Sequence, residues 1–376
     1  MTELNNQNSP FIHFHQKINF KFDGKKYHGY KGDTIASALL RHGVKLIGRS
    51  FKYHRPRGIY TCGIEEPNAL VQIISEYSEP NARATIKKIY EGMEVESQNR
   101  WPSLNFDIGS INSIFSPLFS AGFYYKTFMG PHKSFWKKIY EPVIRKAAGL
   151  GKPPKEFKAI SSHLHHNVDI VIVGGGINGL LAAESLIDTD YDVLLIESDN
   201  QLGGVLNNSS KINEINGQNT QDWIKKTVEN IEKSKNIKIL KNTLVTTYNY
   251  INHLIAVEDK YVGAKPAEDK VNSTLHKIRT EHVILSNGHI ERFLSFQNND
   301  LPGIMLGASF EKYVCRYGVV PSKDPVIFSN NSNTNSLVKT LLELNIKPKA
   351  YIDSRSGEQI EPELFDLIRK NDIPLY

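Results

Sequence analysis

The sequence has very little cysteine: only Cys62 and Cys315 occur among its 376 residues. Two thiols cannot form the disulfide framework of a small secreted domain, and they cannot supply the four thiolates of an iron–sulfur cluster. No run of about 18 apolar residues occurs, so we expect no membrane-spanning helix. The first residues, MTELNNQNSP, lack the basic and then apolar build of a secretory signal. A cytoplasmic location is therefore expected.

Neither sign of charge dominates the chain. Its 46 Lys and Arg residues oppose 40 Asp and Glu residues, which leaves a net charge of +6. Because the basic residues are scattered, this excess does not form a track for nucleic acid, and we expect no nucleic-acid partner. The 40% apolar and 23% charged residues are typical of a globular protein, and the length allows two or three domains.

Residues 1–98 are predicted to form a β-grasp or ferredoxin-like module without cluster ligands. Two alternating stretches, INFKF and KKYHGYK, flank the Asp-Gly pair at 23–24, which is a hairpin signal. A helical stretch follows, with Asp33 or Thr34 as its N-cap and Gly43 at its end. Two short strands followed by a helix are how such a module begins.

The loop after this helix is basic and aromatic, and two interpretations of it stay open. It binds an anionic flavin phosphate or a neighbouring subunit, or it is a structural loop whose arginines pair with Glu65 and Glu66. The basic residues in question are Arg49, Lys52, His54, Arg55 and Arg57.

Residues 99–166 are predicted to be an aromatic-rich segment that wraps over another domain or subunit, followed by a linker. Three histidines near its end, His163, His165 and His166, have no carboxylate or cysteine close to them in sequence. We interpret them as part of a solvated linker and predict no metal site.

A dinucleotide-binding domain of the FAD or NAD type is predicted for residues 167–300. The apolar run VDIVIV reads as a buried parallel strand, GGGING follows it at once, and LLAAESLID reads as a helix. A second strand ends at Glu197, 21 residues after Gly176. Glycines in this order admit a pyrophosphate to the helix N-terminus, and the acid binds ribose hydroxyls while repelling a 2′-phosphate. The predicted cofactor-binding residues are Gly174, Gly176, Ile177, Asn178, Gly179, Glu197, Ser198, Gly203, Gly204 and, as a backbone contact to adenine, Val245.

Residues 301–376 are predicted to be an incomplete second βαβ domain, the start of an inserted nucleotide-type domain. Its phosphate-side turn, residues 329–332, contains no glycine, so we expect a structural copy of the nucleotide fold and a poor pyrophosphate site. The chain stops at Tyr376, where a further strand is expected to begin. We therefore expect it to be a fragment of a longer protein.

The chain resembles the α subunits of heterotetrameric sarcosine oxidases. The resemblance is carried by GDTIASALL, by LIGRSFKYHRPRGIYTCGIEEPNALVQ, by VDIVIVGGGINGLLAAE and by NDLPGIMLG. It implies an NAD bound noncovalently to this chain, with FAD as the alternative, and β, γ and δ partner subunits. It also implies that sarcosine is oxidised on flavins of the β subunit and on FMN at an interface. Glycine, hydrogen peroxide and either formaldehyde or methylenetetrahydrofolate are the implied products.

Other functions stay open beside this one. The N-terminal module is also similar to the [2Fe–2S] modules of opine and amine dehydrogenases, in which it would act as an electron-transfer or assembly module; stoichiometric iron would favour that alternative. A free-standing disulfide reductase would need a CxxxxC-like cysteine pair, which the sequence lacks. The chain carries no identifiable catalytic residue, and sarcosine and tetrahydrofolate are expected to be handled outside it.

We predict that the isolated chain neither oxidises sarcosine nor carries covalent flavin, because the flavin chemistry is assigned to partner subunits. Peroxide release from sarcosine and flavin absorbance after denaturation measure the two properties. Turnover by the purified chain would contradict the prediction.

Overall fold

The computed structural model describes residues 9, 11–74, 78–114, 130, 132–143, 160–207, 214–267 and 270–376. The chain divides into two compact units. Residues 115–129, 131 and 144–159 of the predicted aromatic-rich segment and linker lie outside the described residues. The first unit takes in Met1–Phe157, Phe293–Tyr313 and Tyr317–Ser322, and the second takes in Lys158–Arg292, Val314–Arg316 and Lys323–Tyr376.

The first unit is built on a five-stranded mixed sheet with the order β2-β1-β7-β5-β6. Strands β3 and β4 form a separate two-stranded ribbon and precede β5 in the sequence. The strands are β1 (His13–Phe22), β2 (Lys25–Lys31), β3 (Gly48–Arg49), β4 (Pro56–Arg57), β5 (Leu70–Ile74), β6 (Glu79–Arg83) and β7 (Met93–Ser97).

Local sequence signals account for the start of this unit. Asp23 and Gly24 both have positive φ, 48° and 78°, as a two-residue hairpin turn requires. Helix α1 (Ile35–Arg41) begins at Thr34, whose side chain accepts the N–H of Ser37 in a capping box. The predicted hairpin and N-cap are therefore confirmed.

The core of the first unit also takes in residues from far along the chain. Helix α1 is buried throughout, and Phe20, Met93 and Val95 contribute the apolar face of the sheet. Tyr313 is fully buried, and its hydroxyl donates to the Thr61 carbonyl at 2.9 Å. Residues 293–313 and 317–322 are grouped with the first unit, whereas 314–316 and 323–376 are grouped with the second. That residues 301–376 form one domain stays a prediction.

The second unit is built on a six-stranded sheet with the order β12-β9-β8-β15-β14-β13. Strands β12, β9, β8 and β15 are parallel to one another, and the pairings of β15 with β14 and of β14 with β13 are antiparallel. The strands of this unit are β8 (Ile160–Val173), β9 (Val193–Ile196), β10 (Glu214–Ile215), β11 (Gln218–Asn219), β12 (Ile237–Leu240), β13 (Thr243–Asn249), β14 (His253–Asp259), β15 (Val271–Leu285), β16 (Val326–Ser329) and β17 (Ala350–Asp353).

Strands β16 and β17 form a separate parallel pair, which agrees with the predicted βαβ unit. In the part of the chain that the structure describes, the α-helices after α1 are α2 (Lys133–Phe135, continued by a π turn over Trp136–Tyr140), α3 (Ile177–Ser185), α4 (Thr220–Lys233), α5 (Gly307–Tyr317), α6 (Asn335–Glu343) and α7 (Pro362–Lys370). Among the described residues, no helix combines the length and the apolar character needed to cross a bilayer.

The interpretation of the three histidines as a solvated linker is wrong. Strand β8 begins at Ile160 and pairs with β15 along its whole length, so His163, His165 and His166 lie within the sheet. The His166 ring is hydrogen-bonded to the buried His276, which in turn lies 3.1 Å from a Glu258 oxygen. Burial, followed by the neighbouring His276, lowers the pKa of His166. Within the described ranges, no three His, Cys, Asp or Glu side chains are grouped to hold a metal ion.

Candidate functional site

Except for Val245, the predicted cofactor-binding residues follow β8 and β9, at the edge where the parallel strands β9, β8 and β15 end. The N–H of Gly174, after β8, donates to the Ile196 carbonyl of β9 at 2.8 Å. The N–H of Ser286, after β15, donates to the Val173 carbonyl at 2.8 Å. The carboxyl edge of a parallel sheet is where ligands bind in doubly wound folds. This edge is therefore the candidate nucleotide site.

Two glycines of the fingerprint are required by packing inside the protein. Gly174 has a φ of 102°, and a Cβ there would overlap the carbonyl of Ser286. A Cβ on Gly179 would overlap the carbonyl oxygen of Gly174, so helix α3 lies directly against the turn. These positions correspond to the tight turn and to the close helix–strand contact expected from the motif.

Gly176 is different, because neither its conformation nor its neighbours require glycine. Its φ is −73°, and a Cβ would meet only the Cα of Gly204, 4.0 Å away. Gly176 is the N-cap residue of α3, and no side chain caps the helix there. Ile177, Asn178 and Gly179 form the first turn, whose N–H groups point out of the helix N-terminus. The open space at Gly176 is where a pyrophosphate could approach the backbone.

Glu197 closes the other side of the turn. The residue is 9% exposed, and its Oε2 accepts the N–H of Gly175 at 2.7 Å. Its Oε1 accepts the N–H of Asp199 at 2.8 Å and the hydroxyl of Ser198 at 3.1 Å. A carboxylate offers about four lone-pair directions. Glu197 is thus fixed beside the glycine turn and keeps acceptor capacity for a sugar hydroxyl.

The second glycine pair also lies at this site. The N–H of Gly203 donates to the Gly175 carbonyl at 2.8 Å, and Gly203 has a φ of 117°. A Cβ on Gly204 would come within 2.9 Å of the Gly176 Cα, so the two turns meet backbone to backbone.

Val245 lies in β13, opposite Ala256 of β14, and its side chain packs partly buried against the sheet core. Thr243, two residues earlier, donates its N–H to the Glu197 carbonyl at 2.9 Å. A contact between Val245 and adenine stays a prediction.

Three further residues at this site were not predicted from the sequence. The Asp199 carboxylate accepts hydrogen bonds from both terminal nitrogens of Arg316, with N–O distances of 2.7 and 2.8 Å. Arg316 is only 5% exposed. Leu202 fills the space that a side chain at Gly175 would need. Asp199 and Leu202 follow Glu197 within five residues, which is a usable signal, but Arg316 lies 117 residues away from Asp199. Nothing local to Arg316 indicates its partner.

In the C-terminal βαβ unit, the turn at residues 329–332 corresponds to the glycine turn after β8. Its own side chains hydrogen-bond to neighbouring backbone groups. Asn331 accepts the N–H of Asn333 through its side-chain oxygen at 2.9 Å. At the end of β17, Asp353 accepts two nitrogens of Arg355, each at 2.9 Å. That this turn is a poor pyrophosphate site stays a prediction.

The basic loop of the first unit pairs with a different acid from the one predicted. Arg55 makes a bidentate ion pair with Asp300, with both N–O distances 2.7 Å, and Arg57 contacts the same carboxylate. Hydrogen bonds from Arg55, followed by those from Arg57, hold the pKa of Asp300 well below its ordinary value. The pairing of these arginines with Glu65 and Glu66 is therefore wrong, because Glu66 binds backbone N–H groups instead.

Together these features define a two-part chain: a ferredoxin-like module and a Rossmann-like domain with a glycine turn and an acid at the carboxyl edge of its parallel strands. Family comparison agrees with both parts. A model of the 2Fe-2S iron-sulfur cluster binding domain matches residues 15–100. A model of the NAD(P)-binding Rossmann-like domain matches residues 172–223. The predicted fold class, an α/β chain with these two components in this order, is confirmed.

The chain is similar to sarcosine oxidase α subunits, as its motifs predicted. It is 40% identical over 352 residues to the α subunit of Rhizobium meliloti (strain 1021), covering 92% of this chain and 35% of that protein. Against the α subunit of Corynebacterium sp. (strain P-1) the identity is 28%, covering 85% of this chain and 28% of that protein. The chain thus spans about a third of the length of these relatives.

A solved structure shares the fold. The L-proline dehydrogenase from P. horikoshii superposes with a TM-score of 0.59 at 19% identity, covering 90% of this chain and 53% of that one. At this identity the likeness concerns the fold alone.

The residues of the first unit do not fit an iron–sulfur cluster. Such a cluster is held by four thiolates, in some proteins with two replaced by histidines. The matched range contains one cysteine, Cys62, which is buried. The family match therefore describes the fold of the module and not its ligand set.

We predict that Gly176→Ala blocks nucleotide binding and leaves the fold intact. Its backbone angles suit alanine, but the new methyl group fills the space that a pyrophosphate needs. We expect affinity for the nucleotide to fall at least about tenfold, measured by calorimetric titration, with an unchanged melting temperature. Gly357→Ala, in open space on the surface, is the matched control. Equal binding by Gly176→Ala and the control would contradict this assignment.

We predict that Asp300→Asn destabilises the first unit in a pH-dependent way. It leaves the Arg55 and Arg57 guanidinium groups without their carboxylate, which costs about 1–2 kcal/mol in the free energy of unfolding at pH 7. Because folding lowers the pKa of Asp300, its stabilisation is present above the unfolded value of about 3.9 and is lost as the pH falls below it. The difference from wild type should therefore shrink below about pH 4.

Urea unfolding at several pH values measures this difference, with the exposed Asp190→Asn as control. A difference that stays constant from pH 7 to pH 3 would argue against the ion pair as the source of stability.

Proposed function

We propose that this chain binds NAD in its Rossmann-like domain and is the nucleotide-binding part of the α subunit of a heterotetrameric sarcosine oxidase. The single observation that carries the nucleotide proposal is the open space at Gly176, a glycine that internal packing does not require. The similarity to sarcosine oxidase α subunits supports the second part of the proposal.

In this proposal the turn and the helix N-terminus hold the diphosphate. Gly176 lets it approach, and N–H groups in the first turn of α3 donate to its oxygens in the positive field of the helix. Gly204, packed against Gly176, supports the same surface. Glu197, held in place by Gly175 and Asp199, accepts hydrogen bonds from the adenosine ribose. When bound, NAD supplies a nicotinamide ring able to accept or donate a hydride.

NAD is favoured over NADP on electrostatic grounds. The Glu197 carboxylate would lie close to a 2′-phosphate and repel it. The Arg316 guanidinium, which could otherwise attract that phosphate, is paired with Asp199. Because Glu197 suits NAD and FAD equally, the choice of NAD rests on the family resemblance, and FAD is the alternative.

The complete reaction belongs in this proposal to an assembly larger than this chain. Sarcosine is oxidatively demethylated to glycine, with hydrogen peroxide and formaldehyde or methylenetetrahydrofolate, on flavins of a β subunit and on FMN at an interface. The γ and δ subunits complete the heterotetramer, and sarcosine and tetrahydrofolate bind outside this chain. A cytoplasmic location is part of the proposal and is supported by the low cysteine content.

The alternative is an electron-transfer or assembly module of an opine or amine dehydrogenase. The match of residues 15–100 to a cluster-binding family favours it. The single cysteine in that range weighs against it, because electron transfer through a cluster needs the missing thiolates.

Identifying the bound nucleotide tests the proposal. The purified chain is heated or acidified, and the released nucleotide is identified by mass spectrometry; the emptied chain is then titrated with NAD, NADP and FAD. We expect NAD to be released and to rebind.

Glu197→Gln should weaken binding about tenfold or more, since it removes a charged acceptor, whereas Glu281→Gln on the exposed face of β15 should not. Release and binding of FAD alone would overturn NAD, and failure of all three to bind would overturn the nucleotide site.

A further inference from the structure

One buried carboxylate organises the loop that carries Cys62. Glu66 is 2% exposed and receives hydrogen bonds from both ends of the loop between β4 and β5. Its Oε2 accepts the N–H groups of Tyr60 at 3.0 Å and Thr61 at 2.6 Å, together with the Thr61 hydroxyl at 3.1 Å. Its Oε1 accepts the N–H groups of Asn68 at 2.7 Å and Ala69 at 2.9 Å.

Four backbone N–H groups converge on the Glu66 carboxylate, two on each oxygen, and together they form an anion-binding concavity. Concavities of this type hold phosphates and iron–sulfur clusters in other proteins, because the N–H dipoles favour negative charge. Left empty and buried, each N–H would lose its bond to water without gaining another, at a cost comparable to a lost hydrogen bond. In this loop the Glu66 carboxylate satisfies all four N–H groups from within the chain.

The family match makes this arrangement informative. The loop lies within residues 15–100, which match a cluster-binding family, and it carries the one cysteine of that range. Its converging N–H groups suit an anion, but its side chains do not suit iron. Both observations are explained if the Glu66 carboxylate accepts the hydrogen bonds that an anionic ligand would otherwise accept.

The loop also holds a distant segment of the same unit. The Tyr60 carbonyl accepts the N–H of Leu306 at 3.0 Å, and the Thr61 carbonyl accepts the Tyr313 hydroxyl at 2.9 Å. Both carbonyls belong to residues whose N–H groups bind Glu66. A loop fixed by Glu66 therefore presents two fixed acceptors to the segment 306–313.

We propose that Glu66 is an internal anion that replaces the iron–sulfur cluster as the centre on which this loop folds. The module is then a metal-free structural element: its loop positions residues 306–313 and carries no electrons.

Hydrogen exchange of the full chain, prepared without iron, tests the proposal. In wild type the amides of residues 60, 61, 68 and 69 are expected to be protected. In Glu66→Gln the carboxamide keeps one acceptor oxygen and turns an NH₂ group toward the donors, so these amides and that of Leu306 should exchange at least about tenfold faster. Glu65→Gln, the same change one residue earlier, should leave exchange within about twofold of wild type. Wild-type exchange rates in Glu66→Gln would overturn the proposal.

Reconstitution supplies an independent arm that does not require the variant to fold. Wild-type chain is incubated anaerobically with ferrous iron and sulfide, desalted, and examined for iron and for visible absorbance. We expect no retained iron and unchanged protection of the four loop amides. Stoichiometric iron with a visible charge-transfer band, or unprotected loop amides in the iron-free wild type, would overturn the proposal.

Discussion

The parallel pairing of β8 with β9 on one side and β15 on the other is the constraint on which the candidate site depends. Because these three strands end at one edge, the turns that follow them are brought together. The backbone bonds from Gly174 to Ile196 and from Ser286 to Val173 continue the ladder past the strand ends. Without this register, the glycine turn and the acid at 197 would be unrelated surface features.

Carboxylates placed among N–H or guanidinium donors recur at the loops of both units. Glu197 joins the glycine turn to the end of β9, Glu66 closes the loop after β4, and Asp300 draws two arginines of the basic loop together. In each case an acceptor with several lone pairs satisfies donors from separate segments. These three loops are thus held by charge-assisted hydrogen bonds in addition to the packing of their apolar residues.

The side chains of this chain fit one of the two matching families better than the other. At the Rossmann-like domain, the glycines, the helix N-terminus and the acid agree with the chemistry that the family's description implies. At the ferredoxin-like module, the backbone fold agrees but the ligands are missing, since the matched range contains one cysteine, Cys62. A shared fold does not imply a shared cofactor, because the side chains at the site decide which chemistry it supports.

The sequence by itself determined the features that depend on neighbours in the chain: the Asp-Gly hairpin, the cap at Thr34, the strand–glycine–helix order and the acid at 197. Turn chemistry, capping and periodicity act over a few residues, so they are readable without a fold. Only the tertiary structure decided the pairing of Arg55 with Asp300, 245 residues apart, and that of Arg316 with Asp199, 117 residues apart. Any of many acids could satisfy an arginine, and only the folded chain selects which one lies within reach.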